Sequence, residues 1–121
     1  GVVGGLLVSA GAAIGEEVWL RLGVMTILAW FFVRVSGDTR LKPGSAWAAI
    51  ILAAVVFSLV HLPQLAAAGA ASWAGVLGTI FGNTLVGVIF GWLYWRRSLL
   101  AAIVAHFSAD LVLHVFPALV A

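Results

Sequence analysis

The chain has 121 residues, of which 64% are hydrophobic and only 8% are charged, with a formal net charge of +2. A soluble domain of this size leaves too much surface in water to hide so many apolar side chains, so the composition favours an integral membrane protein in a lipid bilayer. The six basic residues form no stripe, which argues against nucleic acid as a partner. The absence of cysteine excludes disulfides, Cys-based zinc sites and thiol nucleophiles.

Four apolar stretches of spanning length follow one another, over residues 15–35, 45–62, 72–95 and 99–115. Pro63 and Pro117 are expected to end the second and fourth helices. Residues 1–14 are expected to be the tail of a preceding helix or an extension of the first. We therefore predict an all-α polytopic transmembrane bundle of about four spans plus a partial N-terminal helix. Residues 1–121 are expected to form a single domain, the core of a longer protein.

Basic residues occupy two of the three connections between these helices. They are Arg34, Arg40 and Lys42 in the first connection, and Arg96 and Arg97 in the third. The positive-inside rule then predicts that both basic connections face the cytoplasm. A bacterial plasma membrane is the expected location.

The first helix carries two adjacent carboxylates and a guanidinium in Glu16-Glu17-Val-Trp-Leu-Arg21. A charge at the bilayer centre costs about 2.5–3.5 kcal/mol on insertion scales, so such a cluster needs pairing, a protein interior or a wet cavity. Glu17 and Arg21 are four residues apart and are expected to pair, whereas Glu16 points about 100° away. We interpret Glu16 as a candidate general base. The alternative is that both carboxylates lie at the wet end of a helix near its N-terminus.

Histidines lie on two other helices, each four residues from another side chain of interest. Phe57 and His61 share one helix face, and His106 and Asp110 share another, with His114 continuing the same stripe. A His–Asp pair one turn apart can orient an imidazole, bind a metal or donate to an oxyanion. The alternatives are a polar cap for His61 and a structural contact between helices for the other pair.

Gly87 and Gly91 have the spacing that lets two helices approach closely, and we interpret them as packing residues. The ionisable residues described above are nearly the whole polar inventory of the spanning sequence. Their convergence on one site is the simplest interpretation.

Taken in order, three motifs resemble a known family: Glu16-Glu17-x-x-x-Arg21, Phe57-x-x-x-His61 and His106-x-x-x-Asp110. They look like those of the CAAX protease and bacteriocin-processing (CPBP, or Abi) family of intramembrane proteases, and of its type II CAAX prenyl endopeptidases. The resemblance implies a four-helix catalytic core. It also implies an endopeptidase that hydrolyses a membrane-associated protein or peptide.

The same resemblance implies a role for each matching residue. Glu16 would activate a water as general base and His61 would bind or polarise that water. His106 and Asp110 would complete the site or its oxyanion pocket. The supporting residues would be Glu17, Arg21 and Phe57.

Family members are described as metalloproteases, while a glutamate-dependent mechanism without a metal has been proposed for relatives. Glu16, His61 and His106 are the candidate zinc ligands, with water in the fourth position. Both mechanisms stay open, so no cofactor is certain and zinc is the candidate. Asp110 stands where many relatives have Asn.

Three other classes of protein use similar residues. A haem-binding membrane anchor would use His61 and His106 as axial ligands but leaves the carboxylates unexplained. A transport or proton-relay module would use Glu16, Asp110 and the histidines, although no inverted repeat is visible. A catalytically silent scaffold would keep only the helical core.

Counting residues from the basic helix ends does not place the candidate residues at one depth. At about 1.5 Å per residue, Glu16 and His61 lie about 27 and 28 Å from those ends, and His106 only about 13 Å. Straight helices of equal depth would therefore keep His106 apart from the other two.

Overall fold

The computed structural model describes residues 1–120, and all regular structure among them is helical. The helices are α1 (Val2–Ser36), α2 (Pro43–Val60), α3 (Leu62–Ala67), α4 (Trp73–Arg96), α5 (Leu99–Val115) and α6 (Phe116–Val120). Three helical stretches are long and apolar enough to cross a membrane, namely Val2–Ser36, Pro43–Ala67 and Trp73–Arg96, while α5 is a shorter apolar helix. The prediction of an all-α transmembrane bundle is confirmed.

The first helix includes the Gly-rich segment at the start of the chain. α1 runs for 35 residues, or about 52 Å, with a π-helical stretch over Val18–Met25. Of the two expectations for residues 1–14, the structure therefore favours an extension of the first helix over the tail of a preceding one. Helical geometry satisfies every backbone group internally, which favours continuing the helix through Gly-rich sequence in an apolar medium. The helix ends at Gly37, whose φ of 69° is left-handed.

The two prolines do not end helices as expected. α2 ends at Val60, and Pro63 lies in the first turn of the short α3. Pro117 is the second residue of α6, and the chain stays helical as far as Val120. Proline is tolerated in a first turn because the N–H that it lacks has no intrahelical partner there. The break between α2 and α3 falls at His61 instead.

Close packing of α4 on α2 sets the register of these two helices. A Cβ atom on Gly87 would lie 3.1 Å from the Cα of Ala54, and one on Gly91 would lie 3.1 Å from Ile50 Cγ2. The small residues thus allow backbone contact between the two helices. This contact fixes where the side chains of α4 meet the end of α2 that carries His61.

The two basic connections lie at the same end of the bundle. Trp47, near the start of α2, makes an edge-to-face contact with Trp95, near the end of α4, with ring centroids 6.3 Å apart. Within the first connection, Asp38 pairs with Lys42. The hydrogen bond from Lys42 holds the pKa of the Asp38 carboxyl below its usual value. The orientation of this end relative to the cytoplasm stays a prediction.

Candidate functional site

Glu16, His61 and His106 come together from three helix segments. Glu16 Oε2 lies 3.8 Å from Nε2 of His61 and 3.8 Å from Nε2 of His106. Both separations are too long for a direct hydrogen bond. The Glu16 side chain is 32% exposed, yet its Oε2 atom is buried and has no hydrogen-bond partner among the described residues.

Hydrogen bonds at the other ring nitrogen define the tautomers of the two histidines. His61 Nδ1 lies 2.7 Å from the Phe57 carbonyl oxygen, and His106 Nδ1 lies 2.8 Å from Glu17 Oε1. A carbonyl and a carboxylate only accept, so Nδ1–H is the donor in both. In a neutral imidazole Nε2 is then an acceptor. Three acceptor atoms therefore face one another around Glu16, and a water or a cation between them would supply the missing donor.

Glu17 joins two elements of the site in the interior of the bundle. It accepts from His106 through Oε1, and its Oε2 lies 3.2 Å from Nε of Arg21. Arg21 in turn donates from Nη2 to the Gly87 carbonyl oxygen at 2.9 Å. Glu17 and Arg21 are both 0% exposed. A continuous polar chain thus runs from α5 through α1 to the backbone of α4.

Two phenylalanines line this polar chain. The Phe90 ring stacks on the His106 imidazole at 4.8 Å with an interplanar angle of 15°, and Phe57 meets both histidines edge-on. The Arg21 guanidinium lies 5.5 Å from the Phe57 ring centroid and 6.0 Å from that of Phe90. Such cation–π contacts help to hold a charge where water is absent. Phe90 was not predicted as a site residue from the sequence, although it directly precedes Gly91 of the packing motif.

Asp110 lies between two histidines of its own helix segment. Its Oδ2 is 3.7 Å from His106 Nε2, and its Oδ1 is 3.9 Å from His114 Nδ1. The α-helix becomes π-helical directly after Asp110, over Leu111–Val115. The His114 side chain is 59% exposed, so it marks the open side of the cluster.

A cavity of about 240 Å³ opens beside these groups. The cavity is lined by His61, His106, Asp110 and His114, and by Asn83 of α4. Asn83 was also not predicted as a site residue from the sequence, even though it is the one side-chain amide of α4. A polar residue in the middle of an otherwise apolar span was the available signal.

The donor types of Glu16, His61 and His106 suit zinc, but their spacing does not. Ligands of tetrahedral zinc with bonds of about 2.0–2.1 Å lie about 3.4 Å apart, closer than the two 3.8 Å separations here. Within residues 1–120, no group of three or more His, Cys, Asp or Glu side chains is arranged to hold a metal ion. We therefore derive no step through a metal.

These features define a polytopic integral membrane protein with a partly buried cluster of carboxylates and imidazoles beside a cavity. The family model for "Type II CAAX prenyl endopeptidase Rce1-like" proteins matches residues 1–112. The chain belongs to this family, as the order of its motifs suggested. No curated protein and no solved structure matches it significantly.

Proposed function

We propose that the protein is an intramembrane endopeptidase that hydrolyses a peptide bond of a membrane-associated protein or peptide with a water activated by Glu16. Membership of a prenyl endopeptidase family supports a protease, and prenylated peptides with a C-terminal CAAX sequence are its first candidate substrates. The observation that carries the mechanism is the convergence of Glu16 Oε2 with two imidazole Nε2 atoms.

In the proposed mechanism a water lies between Glu16 and His61. A water about 2.8–3.0 Å from each acceptor bridges a 3.8 Å separation and donates one hydrogen to each. Glu16 removes one of these protons as the water oxygen attacks the scissile carbonyl carbon. The same carboxylic acid then gives the proton to the leaving amine, which restores the carboxylate.

His106 is assigned to the oxyanion of the tetrahedral intermediate. Because its Nδ1–H is already bonded to Glu17, its Nε2 donates only from an imidazolium, so this role requires the ring to take up a second proton from solvent before the water attacks. The buried Glu17 carboxylate stabilises that cation and fixes the ring, the role that a carboxylate has behind a catalytic histidine in other hydrolases. Asp110, 3.7 Å from Nε2, adds a second negative charge beside it.

A haem anchor is less well supported. The 240 Å³ cavity is smaller than the about 300–1,000 Å³ of pockets that enclose drug-sized ligands. The imidazole Nε2 atoms also point at Glu16 rather than into an open slot. The relay and scaffold alternatives predict no cleavage at all.

The test is hydrolysis of an internally quenched, farnesylated CAAX peptide by the purified protein in liposomes. We expect Glu16→Gln, which keeps the size of the side chain but removes the base, to abolish turnover. The matched control is Asp38→Asn, which neutralises a carboxylate in the loop and should leave turnover unchanged. Equal activity of Glu16→Gln and the parent protein would contradict the proposed mechanism.

A further inference from the structure

Asn83 of α4 lines the cavity and uses only one of its hydrogen-bonding groups within the protein. Its Nδ2 donates to the Thr79 carbonyl oxygen one turn earlier at 2.9 Å. An amide side chain has two N–H donors and an acceptor oxygen. Among the described residues this is the side chain's one hydrogen bond, so one N–H and Oδ1 remain available.

The bond to Thr79 limits the rotation of the Asn83 amide beside the cavity. The Asn83 amide is attached to its own helix through one N–H, and the remaining N–H and Oδ1 share a plane. The cavity that Asn83 lines also contains His61, His106 and Asp110. A planar amide beside a cavity offers one donor and one acceptor, which can pair with the C=O and N–H of one residue in an extended peptide.

A peptide that is cut inside a membrane needs such a partner. In an apolar medium every backbone N–H and C=O must be satisfied, and helical peptides satisfy them internally. The water of the proposed mechanism can reach a carbonyl only where the substrate helix has unwound, and unwinding leaves backbone groups without partners. The cavity is small enough to hold only a short segment of a peptide.

We propose that Asn83 binds the backbone of the substrate next to the scissile bond through a two-point amide–peptide contact, so that the enzyme takes an unwound peptide segment. This inference rests on the proposed function. It makes Asn83 a substrate-binding residue that recognises main chain rather than side chains. Asn83 itself therefore does not select among side-chain sequences.

The experiment combines one variant with a set of altered substrates. The variant is Asn83→Leu, which has nearly the same size and no polar group. The control is Thr84→Val, which removes a neighbouring hydroxyl bonded to Ser58 Oγ within the protein. The substrates are the quenched farnesylated peptide and derivatives in which each backbone N–H near the scissile bond is replaced in turn by an ester oxygen.

We expect Asn83→Leu to lower kcat/KM about tenfold, mainly through a higher KM, since the contact is made on binding. One ester derivative should lower kcat/KM of the parent protein by a similar factor and have little further effect on Asn83→Leu. Thr84→Val should behave like the parent protein with every substrate.

Three outcomes would overturn the inference. The first is wild-type kcat/KM for Asn83→Leu, and the second is a loss that multiplies with that of every ester. The third is a parent protein that cleaves all ester derivatives equally well, which is decisive even if Asn83→Leu does not fold. The failures are distinguishable: cleavage that depends on Glu16 but not on Asn83 removes only this inference, whereas absence of Glu16-dependent cleavage removes the proposed function as well.

Discussion

Glu17 and His106 are 89 positions apart in the chain, yet His106 Nδ1 lies 2.8 Å from Glu17 Oε1 in the interior of the bundle. Because of this contact, the two adjacent carboxylates of α1 have different partners. Glu16 faces the Nε2 atoms of His61 and His106 on the open side of the cluster. Glu17 faces the Nδ1 atom of His106 and Arg21. Adjacent helical residues point about 100° apart, so one dipeptide supplies groups to both sides of the same imidazole.

We predict that Glu17→Gln lowers kcat strongly, in addition to the loss of stability that follows from leaving the buried Arg21 charge without its carboxylate. Gln keeps the shape but can present its amide nitrogen to His106 and cannot stabilise an imidazolium, so we expect a loss on the order of 10²–10⁴-fold with KM little changed. Steady-state hydrolysis of the quenched peptide measures it. A kcat equal to that of the parent protein would show that Glu17 serves packing alone.

We predict that Arg21→Met destabilises the bundle by about 3–5 kcal/mol, because it leaves the Glu17 charge buried with one partner fewer. Unfolding of the protein in mixed micelles by increasing SDS measures the change. The double variant Glu17→Met/Arg21→Met should regain most of this stability, because it removes both charges, while remaining inactive. A double variant no more stable than Arg21→Met would contradict the ion pair as the cause.

We predict that helix packing tolerates Ala at some glycines of α4 and not at others. Gly87→Ala would place its Cβ 3.1 Å from the Ala54 backbone, and we expect a loss of about 1–3 kcal/mol. Gly82→Ala meets nothing within 4 Å and should be neutral or slightly stabilising, since Ala is the better helix former. The same SDS unfolding assay compares the two. Equal effects at the two positions would show that contact with α2 is unimportant.

We predict that peptide hydrolysis survives treatment with zinc chelators. The two 3.8 Å separations around Glu16 suit a bridging water better than a zinc ion. Activity is measured after dialysis against 1,10-phenanthroline, with elemental analysis of the dialysed protein as the control. Loss of activity that added zinc restores would replace the water mechanism with a metal-dependent one.

We predict that the connections at the two ends of the bundle face opposite sides of the membrane. The chain has no cysteine, so Arg40→Cys and Ala70→Cys each introduce a single reactive thiol. In intact bacterial cells a membrane-impermeant maleimide should label Ala70→Cys and leave Arg40→Cys unlabelled until the cells are opened. The reverse pattern would invert the topology.

Local patterns predicted much of the site before its geometry was known. The spacing of four residues joins Glu17 to Arg21 and His106 to Asp110 on single helix faces, because helical geometry alone sets those distances. The same local reasoning was wrong at the prolines, and it left the start of α1 open. Whether proline ends a helix or begins the next turn depends on where the preceding helix has already stopped.

The depth of each site residue along the bundle could not be predicted from the sequence. Counting residues from the basic end of each helix predicted that His106 is about 14 Å closer to the basic end of its helix than Glu16 is to that of α1. Nevertheless Glu16 Oε2 and His106 Nε2 lie 3.8 Å apart. The stagger of the helices arises from backbone contacts such as that of Gly87 with Ala54, and no periodicity within one helix reports it.

The sequence by itself determined the membrane class, the helical bundle and the polar residues that need partners, because the cost of charge in lipid and the period of the helix act locally. Only the tertiary structure decided which partner each residue meets. His106 bonds Glu17 and faces Glu16, Phe90 stacks on His106, and Asn83 lines the cavity. These relationships depend on the rotation and stagger of separate helices, which are fixed by packing between residues far apart in the chain.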